Sequence, residues 1–171
     1  MASTFPIHDD AWKSAMDHGI QATVTLHQAT PFSFGDHERG SIQATGFVVD
    51  TDIGIILTNR HMVSEGPMHA RAVFQIGACQ GRVVPIYIHP VHDYAFCKYK
   101  LEDVRGLSLK PIRLQPEMAT VGRKIRVLGN DTGRVMSILP GVISRVDCNP
   151  PHWDSGRYPR SRIITSPLTP L

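Results

Sequence analysis

The sequence predicts an all-β protein with one complete six-stranded barrel and an incomplete second strand unit. The first observation is a hydrophobic period of two, in short runs rich in valine and isoleucine that end at turn residues. The second is the scarcity of helical patterning, which is confined to residues 9–20. The third is a charged, proline-punctuated stretch at 104–120, which suits a connector between two series of strands.

The first barrel carries six predicted strands, at 21–28, 44–50, 54–59, 71–76, 81–89 and 94–100. Residues 50–54 have turn chemistry, so the second and third strands are expected to form an antiparallel hairpin. In the short helix expected at the amino terminus, Trp12, Ala15 and Met16 share one face. The predicted units are a lead-in at 1–19, the first barrel at 20–103, the connector at 104–120 and the second unit at 121–171.

The second strand series starts at 122–130 and 135–147 but does not finish. After it the sequence is rich in proline, serine and arginine, and only residues 162–165 could extend as a further strand. A two-strand fragment is marginal because its apolar face and its edges stay uncovered. We therefore expect a second barrel that is cut short or is completed by something else, and the unpaired edge is expected to aggregate or to recruit a partner, so an oligomer is one expectation.

Composition limits the class of protein. A length of 171 residues and a hydrophobic content of 42% suffice for a real core. Neither a signal peptide nor a segment of bilayer length is recognisable, so we expect an intracellular protein of the nucleus or cytoplasm, without membrane contact. Three cysteines without C-x-x-C spacing argue against a disulfide framework and a structural zinc site, and favour reduced, mostly buried thiols.

The charge is unevenly distributed. Residues 1–120 carry 10 basic and 12 acidic side chains, whereas residues 121–171 carry 8 basic and 3 acidic ones. The basic end could contact nucleic acid or a nuclear import receptor. A solvated end is favoured over nucleic-acid binding because no aromatic stacking residues are interleaved with the arginines.

The candidate chemistry involves His61 and Asp93. His61 follows the apolar run of residues 54–57, and Asp93 precedes the strand at 94–100. Acyl transfer with a nucleophilic hydroxyl needs an imidazole to move the proton and a buried carboxylate that fixes its tautomer through Nδ1. Two groups at strand ends can meet at the rim of a barrel, but a His and an Asp in such places also occur by chance.

Five segments resemble the HtrA/DegP-type serine proteases: ATGFVVD (44–50), GIILTNRH (54–61), PVHDYAF (90–96), GNDTG (129–133) and SILPGVISR (137–145). The similarity is greatest to the large eukaryotic branch of fungi and plants, whose fungal members are described as nuclear and pro-apoptotic. It runs from about Trp12 to Trp153 in the same order. The resemblance implies a trypsin-like double β-barrel in which His61 is the general base and Asp93 its orienting partner.

The sequence departs from this family in three places. Pro140 stands where the family has alanine, which predicts a bent or exposed strand because proline lacks an N–H. Met62 replaces a β-branched residue, a tolerable change of shape. The family's Gly-x-Ser-Gly segment, which carries the nucleophile, does not occur, and the resemblance would place that serine a few positions beyond Leu171.

Ser155 is not expected to replace the missing nucleophile. The resemblance places one oxyanion-hole N–H two residues before the serine, where glycine suits the tight turn, and Trp153 occupies that position here. Ser161 and Ser166 have weaker sequence context still. We therefore expect an incomplete protease domain with negligible peptidase activity. The lineage that it resembles consists of serine endopeptidases, whose substrates are polypeptides.

Other functions and sites were weighed against these. The alternative function is a non-catalytic barrel module that binds extended peptides by strand addition. A metal site at His89, His92 and Asp93 is disfavoured relative to a loop that leads into a strand, because Pro90 prevents helical spacing. The glycines at 129–133 favour a hairpin turn over a phosphate loop because no nucleotide-binding lysine accompanies them. Neither a metal nor a cofactor is expected.

Overall fold

The computed structural model describes residues 10–34, 37–131, 135–148 and 162–167. The amino-terminal helix is α1 (Asp10–Ala22). The strands of the first unit are β1 (Thr23–Thr30), β2 (Gly40–Asp50), β3 (Ile55–Thr58), β4 (His69–Phe74), β5 (Cys79–Ile88) and β6 (Ala95–Tyr99). The strands of the second unit are β7 (Lys124–Asp131), β8 (Val135–Cys148) and β9 (Arg162–Pro167). No helix in the described part of the chain is both long and apolar enough to cross a bilayer.

The first six strands close into an antiparallel barrel in the order β1-β2-β3-β6-β5-β4. The predicted all-β barrel is thereby confirmed. Alternate residues point inward, as a strand period of two requires, and bury their side chains in one core. The largest fully buried side chains of this core are Tyr99, Phe74, Ile56, Val24 and Val48.

The predicted hairpin between β2 and β3 is confirmed by their antiparallel pairing. Asp50 initiates its turn, because a carboxylate oxygen accepts the main-chain N–H of Asp52 at 2.8 Å and of Ile53 at 3.0 Å. Gly54 follows at φ +77, a conformation that suits glycine. A Cβ built at Gly54 would lie 2.6 Å from the carbonyl oxygen of Tyr99. The close approach of β6 is therefore a second reason for a glycine at position 54.

Most strand boundaries differ from the prediction by one to four residues, and the starts of β1 and β2 show why. Residues 21–22 end α1 rather than begin β1, and the Thr23 hydroxyl donates to the Gly19 carbonyl at 2.7 Å, which satisfies one carbonyl of the last turn. β2 begins at Gly40 rather than at 44, because residues 40–43 pair with β1 although they are exposed. A strand prediction based on alternating apolar residues does not detect strand residues that lack this alternation.

The second unit is an antiparallel sheet in the order β7-β8-β9. β9 begins where a third strand was predicted and continues to Pro167. Pro140 is exposed on β8 opposite Arg126, as its missing N–H predicts. The turn predicted at 129–133 falls partly outside the described residues, but the strands on either side pair antiparallel up to Asp131 and Val135. The proposed domain limits stay predictions.

α1 and the connector hold the two units together. The guanidinium of Arg126 lies 4.5 Å from the centroid of the Trp12 ring, a cation–π contact between β7 and α1. The N–H of Ile112, in the connector, donates to the Val48 carbonyl on β2 at 2.7 Å. α1 therefore contacts the second sheet, one hydrogen bond ties the connector to β2, and β7 also contacts β1 and β2 directly.

Cys79 and Cys97 are free thiols, in line with the predicted reduced state. Burial raises the pKa of Cys97 to about 11, which disfavours its thiolate at neutral pH. Cys148 lies on β8.

Candidate active site

His61 is placed by a short 3₁₀ turn directly after β3. The hydroxyl of Thr58, the last residue of β3, donates to the Thr45 carbonyl at 3.0 Å and fixes the strand end. The turn Arg60–Met62 follows. The Met62 N–H donates to the Asn59 carbonyl at 3.2 Å, and the Val63 N–H donates to the Arg60 carbonyl at 2.8 Å. Met62 is buried in the core, whereas the His61 side chain is 55% exposed. The apolar residue after His61 thus anchors the turn and leaves the ring at the surface of the barrel rim.

Asp93 approaches His61 from the loop 89–94, which joins β5 to β6. Its side chain is only 5% exposed. Its carboxylate oxygens lie 2.8 and 3.0 Å from His61 Nδ1, and one of them also accepts the main-chain N–H of His61 at 2.9 Å. The amide of Asn59 donates to the same carboxylate at 3.3 Å. The structure therefore brings the two predicted site residues together.

This arrangement selects one form of the imidazole. Because the Asp93 carboxylate can only accept a hydrogen bond, the neutral His61 ring carries its proton on Nδ1. The lone pair is then on Nε2, the nitrogen that can take a proton from another group. A buried carboxylate held by two further N–H donors fixes both the orientation of the ring and its tautomer.

A second histidine supports the Asp93 loop from within. His89 Nδ1 accepts the main-chain N–H of Val91 at 3.0 Å and of His92 at 2.7 Å. Partial burial, followed by the charges of His92 and Arg60, lowers the pKa of His89 below 6.5. His89 is therefore neutral at physiological pH, which these two hydrogen bonds require.

Arg60 joins the two loops of the site. Its guanidinium donates to the His89 carbonyl and pairs with the Glu65 carboxylate at 3.0 Å, and its side chain is 17% exposed. Sequence reasoning left the role of Arg60 undecided. The structure places it as a clamp between the His61 turn and the Asp93 loop.

Sequence reasoning missed a group of neighbouring aromatic and imidazole rings beside the site. Neighbouring ring centroids lie 4.5 to 6.4 Å apart. Partial burial and the neighbouring Tyr87 raise the pKa of Tyr94. The signal was present as alternating rings in the sequence from 87 to 96. The members are Tyr87, His89, His92, Tyr94 and Phe96.

The structure does not arrange His89, His92 and Asp93, the disfavoured metal site of the sequence analysis, as metal ligands. Within the described ranges, no group of three or more His, Cys, Asp or Glu side chains is placed to hold a metal ion. The Nδ1 atom of His89 already accepts two N–H groups, and the carboxylate of Asp93 already binds His61. The hydrogen bonding of both residues supports the histidine–carboxylate pair instead.

The serines considered as nucleophiles are not part of this geometry. Ser155 and Ser161 lie outside the described residues, and Ser166 lies on β9. Among the residues that the structure describes, the His61 ring is hydrogen-bonded only to Asp93. Ser64, near in sequence, is buried, and its hydroxyl accepts the Gly66 N–H at 3.1 Å.

In a comparison with known proteins, residues 44–170 match the family model of the trypsin-like peptidase domain. The chain belongs to the trypsin-like peptidase family. The pro-apoptotic serine protease nma111 of Aspergillus terreus is 41% identical over 152 residues, which are 88% of this chain and 14% of that protein. Its counterpart in Yarrowia lipolytica is 42% identical over 147 residues, 86% of this chain and 15% of that protein. The chain thus spans about one-seventh of the length of these relatives.

Solved structures show the same fold. The Rv3671c protease of M. tuberculosis, in an inactive form, superposes with a TM-score of 0.65 at 19% identity, over 96% of this chain and 73% of that one. The HtrA-type protease AlgW, solved with a tripeptide, superposes with a TM-score of 0.65 at 18% identity, over 81% and 41%. With the fungal relatives, these matches confirm the resemblance to HtrA-type proteases that the sequence indicated.

Proposed function

We propose that this chain supplies the general base, His61, and its orienting carboxylate, Asp93, to a serine endopeptidase, and that the 171 residues by themselves have negligible peptidase activity. The observation that carries the proposal is the nearly buried Asp93 carboxylate, which binds both the main-chain N–H and Nδ1 of His61. The substrates we propose are unfolded or regulatory polypeptides. The family description and the names of the fungal relatives, which are peptidases, support a polypeptide substrate.

In the proposed reaction, Nε2 of His61 takes the proton of an attacking serine hydroxyl and later gives it to the leaving amine. Asp93 stays ionised, holds the ring in position and stabilises the imidazolium. A base and a carboxylate only activate a nucleophile that is present. The proposed inactivity rests on the absence of a Gly-x-Ser-Gly segment from the 171 residues and on the unfavourable sequence context of Ser155.

The test uses the purified chain with fluorescent casein and a fluorophosphonate probe, which labels an activated serine without knowledge of the substrate. We expect neither hydrolysis nor labelling above that of the His61→Ala variant. Hydrolysis that disappears in His61→Ala would overturn the proposed inactivity while supporting the role of the base. In that case, loss of labelling in Ser155→Ala would assign the nucleophile, whereas retained labelling would point to another serine.

The non-catalytic alternative, peptide binding by strand addition, has limited room in this fold. The first barrel is closed, so it offers no unpaired edge strand. In the described sheet of the second unit, β7 and β9 are the outer strands and would have to accept the peptide. The nuclear or cytoplasmic location is part of the proposal, and imaging of a fluorescent fusion tests it. Oligomer formation and the lack of nucleic-acid binding stay predictions.

A further inference from the structure

A row of polar and cationic side chains crosses the outer face of the barrel and includes no residue of the candidate active site. The strand registers pair Gln43 with His27, His27 with Arg71, and Arg71 with Arg82. Directly paired residues point to the same face of a sheet. These four side chains therefore form one continuous line over β2, β1, β4 and β5, which we call the arginine row.

The two guanidinium groups of the arginine row lack acidic partners. Arg71 and Arg82 lie directly opposite each other on β4 and β5, and like charges in this position destabilise a sheet. Neither forms an ion pair with another residue in the described part of the chain. The nearby carboxylate of Asp103 accepts the main-chain N–H of Arg82 at 3.2 Å. In the described part of the barrel, these two adjacent positive charges are therefore not neutralised by a salt bridge.

The arginine row lies in a concave surface. A cavity of about 580 Å³ includes all four of its members among the residues that line it, and His69 is another of them. This volume is within the range of pockets that hold small ligands or peptide side chains. Arginine presents a planar fork of N–H donors that matches the two oxygens of a carboxylate. The concavity therefore favours a bound ligand, and the two guanidinium groups favour an anionic one.

We propose that the arginine row binds an acidic, extended polypeptide segment, with the carboxylates held by Arg71 and Arg82. Alternate side chains of an extended peptide are about 7 Å apart on one face, so a Glu-x-Glu spacing can reach both guanidiniums. No Phe, Tyr or Trp lines the cavity, so it offers no stacking platform of these residues for single-stranded nucleic acid. Two arginines are also few beside the roughly 6–10 phosphate contacts of DNA-binding proteins. This binding site goes beyond the proposed peptidase role and does not depend on it.

The test measures fluorescence anisotropy of a labelled peptide of about ten residues with alternating Glu and Thr, titrated with the whole 171-residue chain. We expect Arg71→Gln and Arg82→Gln each to raise the Kd about tenfold or more, the factor expected for loss of one charge-assisted hydrogen bond. Arg113→Gln, which removes an exposed connector arginine, is the matched control and is expected to leave the Kd unchanged. The same peptide with Gln in place of Glu is expected not to bind.

Stability distinguishes a binding role from a structural one. Because Arg71→Gln removes a like-charge contact, we expect its Tm to rise while its affinity falls. An equal loss of affinity in Arg113→Gln would mean general charge attraction and would overturn the proposal, as would tighter binding of a single-stranded oligonucleotide. Weaker peptide binding in His61→Ala would place the peptide in the active-site cleft and would also overturn it. Failure of this site leaves the proposed peptidase role untouched.

Discussion

At the scale of single residues, the carboxylate of Asp93 determines which nitrogen of His61 carries the proton. We predict that Asp93→Asn moves the neutral ring to the Nε2–H tautomer, because the amide introduced can donate to Nδ1. The measurement is ¹⁵N NMR of the imidazole, because the chemical shifts of Nδ1 and Nε2 show which nitrogen carries the proton. In a complete protease domain, the wrong imidazole tautomer is expected to lower kcat about 10⁴-fold.

The control for this prediction is Asp52→Asn, which changes an exposed acid in the β2–β3 turn. Its main chain, rather than its side chain, makes the turn hydrogen bond. The His61 tautomer is expected to stay unchanged in this variant. An unchanged tautomer in Asp93→Asn would instead show that Asp93 only occupies space beside the ring.

At the scale of elements, the loop 89–94 depends on a neutral His89. Because its pKa in the folded protein lies below 6.5, the unfolded chain takes up the proton first as the pH falls. The contribution of neutral His89 to the free energy of unfolding is therefore complete above about pH 6.5. It is lost as the pH falls towards the lowered pKa of His89. The groups that face the ring are Arg60 from the His61 turn, His92 and Tyr94 from its own loop, and Tyr87 from β5.

We predict that His89→Ala lowers the Tm at about pH 7.5 and flattens its dependence on pH between about 5 and 7, because the acceptor of two N–H groups is lost. His89→Asn is the matched control. Its side-chain oxygen can accept the same N–H groups two and three residues ahead, but it does not titrate. It is therefore expected to recover the Tm of His89→Ala without restoring the pH dependence. An unaltered pH profile in both variants would contradict this role of His89.

At the scale of the whole molecule, the sequence was most informative where burial alternates along a strand. The inward residues of β1 and β6 follow that alternation, so these barrel strands could be located before the structure was known. The carboxylate and the imidazole stand at strand ends, but their roles were predicted from the resemblance to the HtrA/DegP-type proteases. The His89 acceptor, the Arg60 clamp and the arginine row escaped, because each depends on groups that approach only after the strands pair. Polar pairing of residues 40–43 escaped for the same reason.

The two sheets are unequally protected, which predicts independent opening of the second one. Ile56 and Cys97 in the barrel are 0% and 3% exposed, whereas Val127 and Leu139 in the second sheet are 42% and 59% exposed. Amides of elements with few buried apolar contacts open at a lower free energy than core strands. We therefore expect amides of β7 and β8 to exchange at least about tenfold faster than those of β3 and β6, as measured by hydrogen exchange with mass spectrometry.

Two truncations distinguish independent opening from one cooperative unit. Ile56→Ala removes a fully buried side chain and is expected to cost about 2–5 kcal/mol, so it should accelerate exchange in β3 and β6. Leu139→Ala changes an exposed residue, is expected to stay within about 0.5 kcal/mol, and should leave the barrel amides unaffected. Equal exchange rates in both sheets of the unaltered protein would mean that α1 and the connector couple them fully. The barrel that holds His61 and Asp93 would then depend on the second sheet for its stability.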